Sequence, residues 1–379
     1  MPPKPELTPE LITSRSEFDC LAPEWNDLLQ FSAANSIFLT FEWLSTWLNT
    51  VYPQAKLFVI IVRDKRGKLV GAAPFYLTEF KLIKLINYRY LRYIGDCHSG
   101  AEYPDIIAHT GLEEECLATI REVIFNYREW DCAWFPNIAG WTGSQKRFAQ
   151  CFGEDLSFSR SRVASFSSFL LPASFEDYLA GLSRKRRSNL RYLEKNLLKT
   201  HAISFEFCSR PEDVGEYLAQ LFHLHGRRWR SEGQCGSFIK KPLMADFYRQ
   251  FAQLSLSHNW LGIFRLNLDN VAYAIQYGYI YNGVFHALQE GFDPEVAGIG
   301  NILRLKVMEW CIANGIKEYD FLGEHSPHKE LWASRERSGS QLFLGAPRKV
   351  KNNLLALHEI WPTGRLIDQG LPADHAYNP

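Results

Sequence analysis

The 379-residue chain has no net charge, because 42 basic residues balance 42 acidic ones. No global field therefore favours nucleic acid or an anionic membrane, and such a partner has to be met by a local patch. Nowhere do about 18 uncharged apolar residues run together, as a membrane-spanning helix requires. The N-terminus, MPPKPELTPELITSRSEF, has no apolar signal core. A cytoplasmic protein is expected. The eight cysteines include no C-x-x-C pair, so there is no zinc framework, no metal is expected, and reduced thiols are anticipated. A G-x-S-x-G elbow, a Walker loop and an H-E-x-x-H helix are also missing, which removes the signatures of serine hydrolases, P-loop NTPases and zinc peptidases.

What is present argues for packed globules: 46% of residues are hydrophobic and 14% aromatic, over a length that exceeds one ordinary core. We expect an α/β chain divided at 1–160, 161–346 and a C-terminal helix and tail over 347–379. Residues 1–9 are Pro-rich and should be loose. Helical spacing follows at 18–29 and 41–51, with Thr40 or Asn35 as caps. Strands at 56–62 and 69–77 flank the charged turn Arg63-Asp64-Lys65-Arg66-Gly67-Lys68, a hairpin. Further strands are expected at 90–94, 103–108 and 131–135, with a helix at 112–128. The order then recurs: strands at 261–268 and 271–281 flank Asp269-Asn270, and a strand, helix and strand follow. Val70 and Val271 are offset by 201 residues and Leu112 and Gly300 by 188, which suggests a tandem duplication.

The most informative stretch runs from Val284 to Trp332. Residues 284–291 suit a strand, Asp293, Pro294, Gly298 and Gly300 break it, and a helix should start at Gly300 or Asn301. Leu303, Val307, Trp310 and Cys311 form its apolar face, Arg304, Lys306 and Glu309 point elsewhere, and Asn314-Gly315 stops it before a strand at 317–322. A strand leading through Gly-x-Gly into a helix places unpaired N–H groups and a positive dipole end together, which is an anion site over Gly298, Ile299, Gly300 and Asn301. The first copy has only Gly111 at the matching turn.

The pattern Arg227-Arg228-Trp229, Phe292-Asp293-Pro294, Gly300 with Leu303, Tyr319-Asp320-Phe321 and Lys329 to Trp332 resembles the GNAT-type acyltransferases grouped with the CelD/BcsL cellulose-biosynthesis proteins. The resemblance covers roughly residues 165–334. It implies tandem GNAT-like domains, as in the wider FemAB-like group, with mixed central sheets flanked by helices. It also implies acetyl-CoA or another acyl-CoA as cosubstrate, bound at residues 298–301 with Lys329, and a small-molecule or glycan-linked amine as acceptor.

Acyl transfer from a thioester to an amine needs an oxygen donor, a base and an acid for the leaving thiolate. The donor is expected to be a backbone N–H near residues 288–290, on a strand splayed from its neighbour. Glu290, Asp320 and Glu324 are candidate bases. His328 stands where the family pattern has Tyr and is the candidate acid, with His325 beside it. His286, in mid-strand, reads as a packed histidine. Arg184, Arg187, Arg191 and Lys195 line one face of a helix expected at 179–199, and the three arginines, with Arg227, Arg228 and Trp229, are the candidate substrate contacts. Two other readings stand beside this one. A FemAB-like aminoacyl transferase would use the basic stripe on charged tRNA, and a non-catalytic binding protein would keep the fold alone.

Overall fold

Runs of β-branched and aromatic residues bounded by turn residues form strands throughout the computed structural model, which describes residues 6–82, 85–152, 155–357 and 360–361. Two units separate by contact density: the chain up to Ala164 with the segment from Ser338, and Ser165–Arg337. The first unit holds β1 (Leu7–Ile12), α1 (Arg15–Asp19), α2 (Ala22–Gln30), α3 (Phe41–Thr50), β2 (Lys56–Asp64), β3 (Leu69–Leu82), β4 (Ile86–Tyr93), β5 (Ile107–Ala108), α4 (Glu113–Asn126), β6 (Cys132–Ala139) and α5 (Ser144–Phe152). The chain enters the second unit within β7 (Phe158–Leu170). There follow α6 (Phe175–Gly181), α7 (Arg184–Thr200), β8 (Ile203–Phe207), α8 (Val214–Ser231), α9 (Ser237–Lys240), α10 (Pro242–Ser257), β9 (Leu261–Leu268), β10 (Val271–Tyr281), β11 (Val284–Phe292), α11 (Ile299–Ala313), β12 (Glu318–Asp320) and α12 (Pro327–Glu330). The chain returns to the first unit within β13 (Arg335–Gly345) and ends its described part with α13 (Asn352–Leu357).

Each unit repeats one strand order. In the first, β1, β2, β3 and β4 are successively antiparallel, β4 and β6 run parallel, and β6 takes β13 antiparallel. In the second, β8, β9, β10 and β11 are antiparallel, β11 and β12 run parallel, and β12 takes the end of β7 antiparallel. Parallel neighbours need a crossover, which α4 supplies in one unit and α11 in the other. The first core gathers Phe75, Tyr93, Ile120, Phe135 and Phe148; the second gathers Phe264, Phe285, Ile302, Leu303, Met308 and Trp332. Each such burial stabilises by roughly 1.5–3 kcal/mol.

Several local expectations are corrected. Leu7 to Pro9 are not loose: they lie in β1, paired with Asp64, Arg63 and Val62; residues 1–5 lie outside the described part, as does the tail from 362. The helix expected at 18–29 is two helices, because Pro23 has no N–H to give and opens α2 instead of sitting inside a longer helix. The strand expected at 103–108 shortens to β5, with Tyr103 at φ 59 ahead of it. The helix expected at 179–199 breaks where Leu182 is extended; Ser183 then caps α7 by accepting from Arg186 N at 3.2 Å. Among the described residues no helix is long and apolar enough to cross a membrane, and no group of three or more His, Cys, Asp or Glu is arranged to hold a metal.

Candidate functional site

β11 and β12 part company early. Their parallel pairing covers only Val284 to His286 against Glu318 to Asp320. On its other side β11 pairs with β10 through a bulge, Tyr277 standing opposite Gln289 and Gly278 opposite Ala287, so Leu288 is the extra residue. The strands diverge beyond His286 and a cleft of about 220 Å³ opens there, floored by the four consecutive residues Ala287 to Glu290. The splay expected around residues 288–290 is what the second unit shows.

The wall facing β11 is α8, brought close by a glycine. A Cβ on Gly291 would lie 2.6 Å from His225 N and 2.9 Å from Leu221 O, so helix backbone meets strand backbone where only glycine fits. That approach carries His225, Arg228 and Trp229 to the cleft. The Trp229 indole N–H donates to His225 Nε2 at 2.9 Å, which leaves the imidazole proton on Nδ1. Burial first, then the Arg228 charge, lowers the His225 pKa to about 4, so the ring is neutral at ordinary pH. Arg228 lies with its guanidinium 4.8 Å from the Phe292 ring centre and 5.4 Å from that of Trp229.

The remaining wall comes from α11 and the segment after β12. Arg304, one turn into α11, forms an ion pair with Glu290, both side chains at least 87% buried. Arg304 also reaches His328 Nε2 at 3.3 Å; a guanidinium has no acceptor, so it is the donor and the His328 proton sits on Nδ1. Burial, then Arg304, pulls the His328 pKa below the usual histidine value, and Arg186 and Arg228 act in the same direction. Gln276 on β10, 2% exposed, donates from Nε2 to the Tyr319 hydroxyl at 2.7 Å, and its Oε1 has no hydrogen-bond partner among the described residues. Lys329 Nζ donates to the carbonyl oxygens of Leu322 and Glu324 and pins the loop that leads to α12.

Of the residues singled out from sequence, the cleft gathers Glu290, His328, Lys329, Arg228 and Trp229. Asp320 is elsewhere: buried at the end of β12, it lies 3.5 Å from His286 and 3.3 Å from Arg337 and accepts from Leu322 N. His286 is itself a buried histidine on β11. His325 hydrogen-bonds Ser167 Oγ at 2.6 Å and Glu330 at 3.0 Å. Arg227 faces the β11–α11 loop, bound to Asp293 and Glu295. In that loop Gly298 takes φ 78 as the cap of α11, while Ile299 and Gly300 are buried; a Cβ on Gly300 would lie 2.8 Å from Phe292 and 2.9 Å from Glu290 Oε1. Asn301 accepts from Arg186 at 3.0 Å. The stripe on α7 divides. Arg184, Arg191 and Lys195 are exposed, whereas Arg187 turns back to the carbonyls of Leu179, Ala180 and Leu182 at the end of α6. Arg186, between them in sequence, is buried over the Trp332 ring at 4.2 Å.

Arg304 corrects the sequence reading, which turned it away from the core. Nothing in the sequence pattern marks Gln276, since one buried amide in a strand has no periodic signature. Arg186 had a signal: it follows three residues after Leu182–Ser183 and belongs to the apolar side of α7 with Leu190 and Leu197.

Residues 184–330, within the second unit, match the family model described as "Acetyltransferase (GNAT) domain". No curated protein matches the chain. Among solved structures, "Crystal structure of FemX" superposes with a TM-score of 0.58 at 12% identity, over 93% of this chain and 100% of that one. "The structure of L-PGS from Bacillus licheniformis" gives 0.52 at 12% identity, over 94% and 97%. At this identity the likeness is one of fold. With the repeated strand order, it makes this chain α/β with tandem GNAT-like units.

Proposed function

We propose that the second unit transfers an acyl group, acetyl in the simplest case, from acyl-CoA to an amine. The observation that carries the reading is the early parting of β11 and β12 with a bulge at Leu288. It leaves the β12 side of β11 without a strand partner beyond His286, and a strand edge of that kind is a source of N–H donors for a thioester carbonyl as its oxygen becomes negative. The pyrophosphate of the cosubstrate lies at the positive end of α11, over the turn of Gly298, Ile299, Gly300 and Asn301. Lys329 holds the loop beneath it.

The amine enters beside Gln276, whose Oε1 accepts one of its N–H groups. Its lone pair adds to the carbonyl carbon and the oxygen takes the negative charge. Once Nε2 of neutral His328 gives up the N–H of Arg304, it takes the proton from the new C–N nitrogen, and the imidazolium then gives a proton to the sulfur as the C–S bond breaks. A histidine whose pKa is lowered suits both halves of that shuttle, since it rests uncharged and donates readily once protonated. Glu290 holds Arg304 in place, and Asp320 holds the end of β12 through His286 and Arg337. The acceptor is a small-molecule or glycan-linked amine, with polysaccharide or cell-envelope metabolism the setting that the CelD/BcsL resemblance favours. The exposed Arg184, Arg191 and Lys195 on α7 support the second reading, aminoacyl transfer from charged tRNA.

Acetyl-CoA titration of the wild type and of Asn301→Asp tests the first reading. The aspartate keeps the contact with Arg186 but adds negative charge at the helix end, so affinity should fall about two- to fivefold at low salt with stability unharmed. Gly300 is a poorer choice because a side chain there meets Phe292 and Glu290. Wild-type protein that binds charged tRNA but no acyl-CoA transfers the case to the second reading.

A further inference from the structure

The charges of the cleft do not balance, and the excess has a definite position. Glu290 is the one carboxylate among its described lining residues, and Arg304 already engages it. Arg228 lines the same cleft and is paired only loosely: the carboxylate of exposed Glu232 stays 3.8 Å from Nε, outside hydrogen-bond reach, and Nε has no hydrogen-bond partner among the described residues. Its guanidinium is nevertheless held in place over Phe292 and Trp229. Lys329 adds positive charge, and buried Arg186 stands behind Arg304 close enough for the two to repel. A planar, oriented guanidinium whose counter-charge is distant and exposed is a receptor for a planar or tetrahedral oxyanion.

We infer that the acceptor amine carries an anionic group, a carboxylate or a phosphate, and that Arg228 is the residue that recognises it. The inference rests on the acyl-transfer reading and names the substrate class for the same cleft. It has a chemical corollary. A positive field disfavours an ammonium and favours the free amine, so the cleft that binds the anionic end also helps unmask the nucleophile at the other end. Polyamines and lysine side chains, which bring only positive charge, are rejected by the same field.

The test uses matched amines with acetyl-CoA: glycine against glycinamide, glucosamine 6-phosphate against glucosamine, and spermidine as the polycation. Thiol release and calorimetric binding are both read. At least one anionic member should be preferred about tenfold or more over its neutral partner, with spermidine inert. Arg228→Gln should weaken that member by about 10–100-fold and erase the preference, while Arg228→Lys keeps part of it. Equal use of neutral or cationic amines, or no binding of either anionic amine, overturns the proposal. So does an Arg228→Gln protein that loses affinity for acetyl-CoA but not for acetyl-pantetheine, which would assign the arginine to a cofactor phosphate. Failure of wild type to bind acetyl-CoA counts instead against the acyl-transfer reading, and the calorimetric arm with the anionic amines is read in either case.

Discussion

Replacing Glu290 by Gln separates a structural carboxylate from a catalytic one. Glu290 and Arg304 are 10% and 13% exposed, and the pair lies where β11 faces α11. The amide keeps an oxygen for Arg304 but leaves a guanidinium buried without its counter-charge, beside an already cationic Arg186. Breaking a buried pair from one side costs about 3–5 kcal/mol, and at about 2–4 °C per kcal/mol the midpoint of thermal unfolding should drop by about 6–20 °C. The double variant Glu290→Leu with Arg304→Met removes both charges, so most of that loss should return. Scanning calorimetry on the wild type, both singles and the double gives the coupling directly. A Glu290→Gln protein that melts within 1 °C of wild type refutes the reasoning, and if it also loses all turnover, Glu290 is the base rather than an anchor.

Three further predictions follow from other parts of the fold. His225 has a folded pKa of about 4 against an ordinary 6.5, so the unfolded chain binds the extra proton and this group costs stability as pH falls between those values, by at most about 1.4 kcal/mol per unit; His225→Gln should flatten that limb in urea titrations. Asp105 in the first unit behaves oppositely. Burial raises its pKa to about 6 from an ordinary 3.8, so its contribution is present below 3.8 and lost as pH rises to 6, and Asp105→Asn should be more stable than wild type at pH 7 but not at pH 4. Arg187→Gln should lower the melting temperature by uncovering two carbonyls of α6 and that of Leu182, whereas Arg191→Gln should not move it.

Local chemistry was readable wherever it alone decided the outcome. Asp269 and Asn270 both take positive φ, at 51° and 66°, as a two-residue hairpin turn demands, and β9 and β10 have the bounds their sequence suggests. Gly315, at φ 72, lies just beyond the end of α11 as expected. The helix at 242–257 went unmarked although Pro242 starts it, and the swap of β7 and β13 between units is a matter of topology with no local trace. The site divides in the same way. Glu290, His328 and Arg228 sit on segments whose order a motif conveys. Gln276 and Arg304 acquire meaning only from what stands opposite them, and Arg187 belongs to a cap that exists because Leu182 breaks the helix. Periodicity describes one element at a time, and these roles belong to pairs of elements.

The contact at Gly291 sets which side of the cleft can yield. Where α8 backbone touches β11 backbone there is no side chain to rotate and no slack to take up, so Gly291→Ala would have to separate the two elements bodily. The opposite wall is built differently: Leu322 and Gly323 take positive φ, and the segment to α12 is gathered by the ammonium of Lys329 on two carbonyl oxygens. One side of the cleft is thus an anvil and the other a latch. Any opening that admits a bulky cosubstrate has to come from the latch, and amide hydrogen exchange should be slow across residues 221–225 and quicken from 322 to 329.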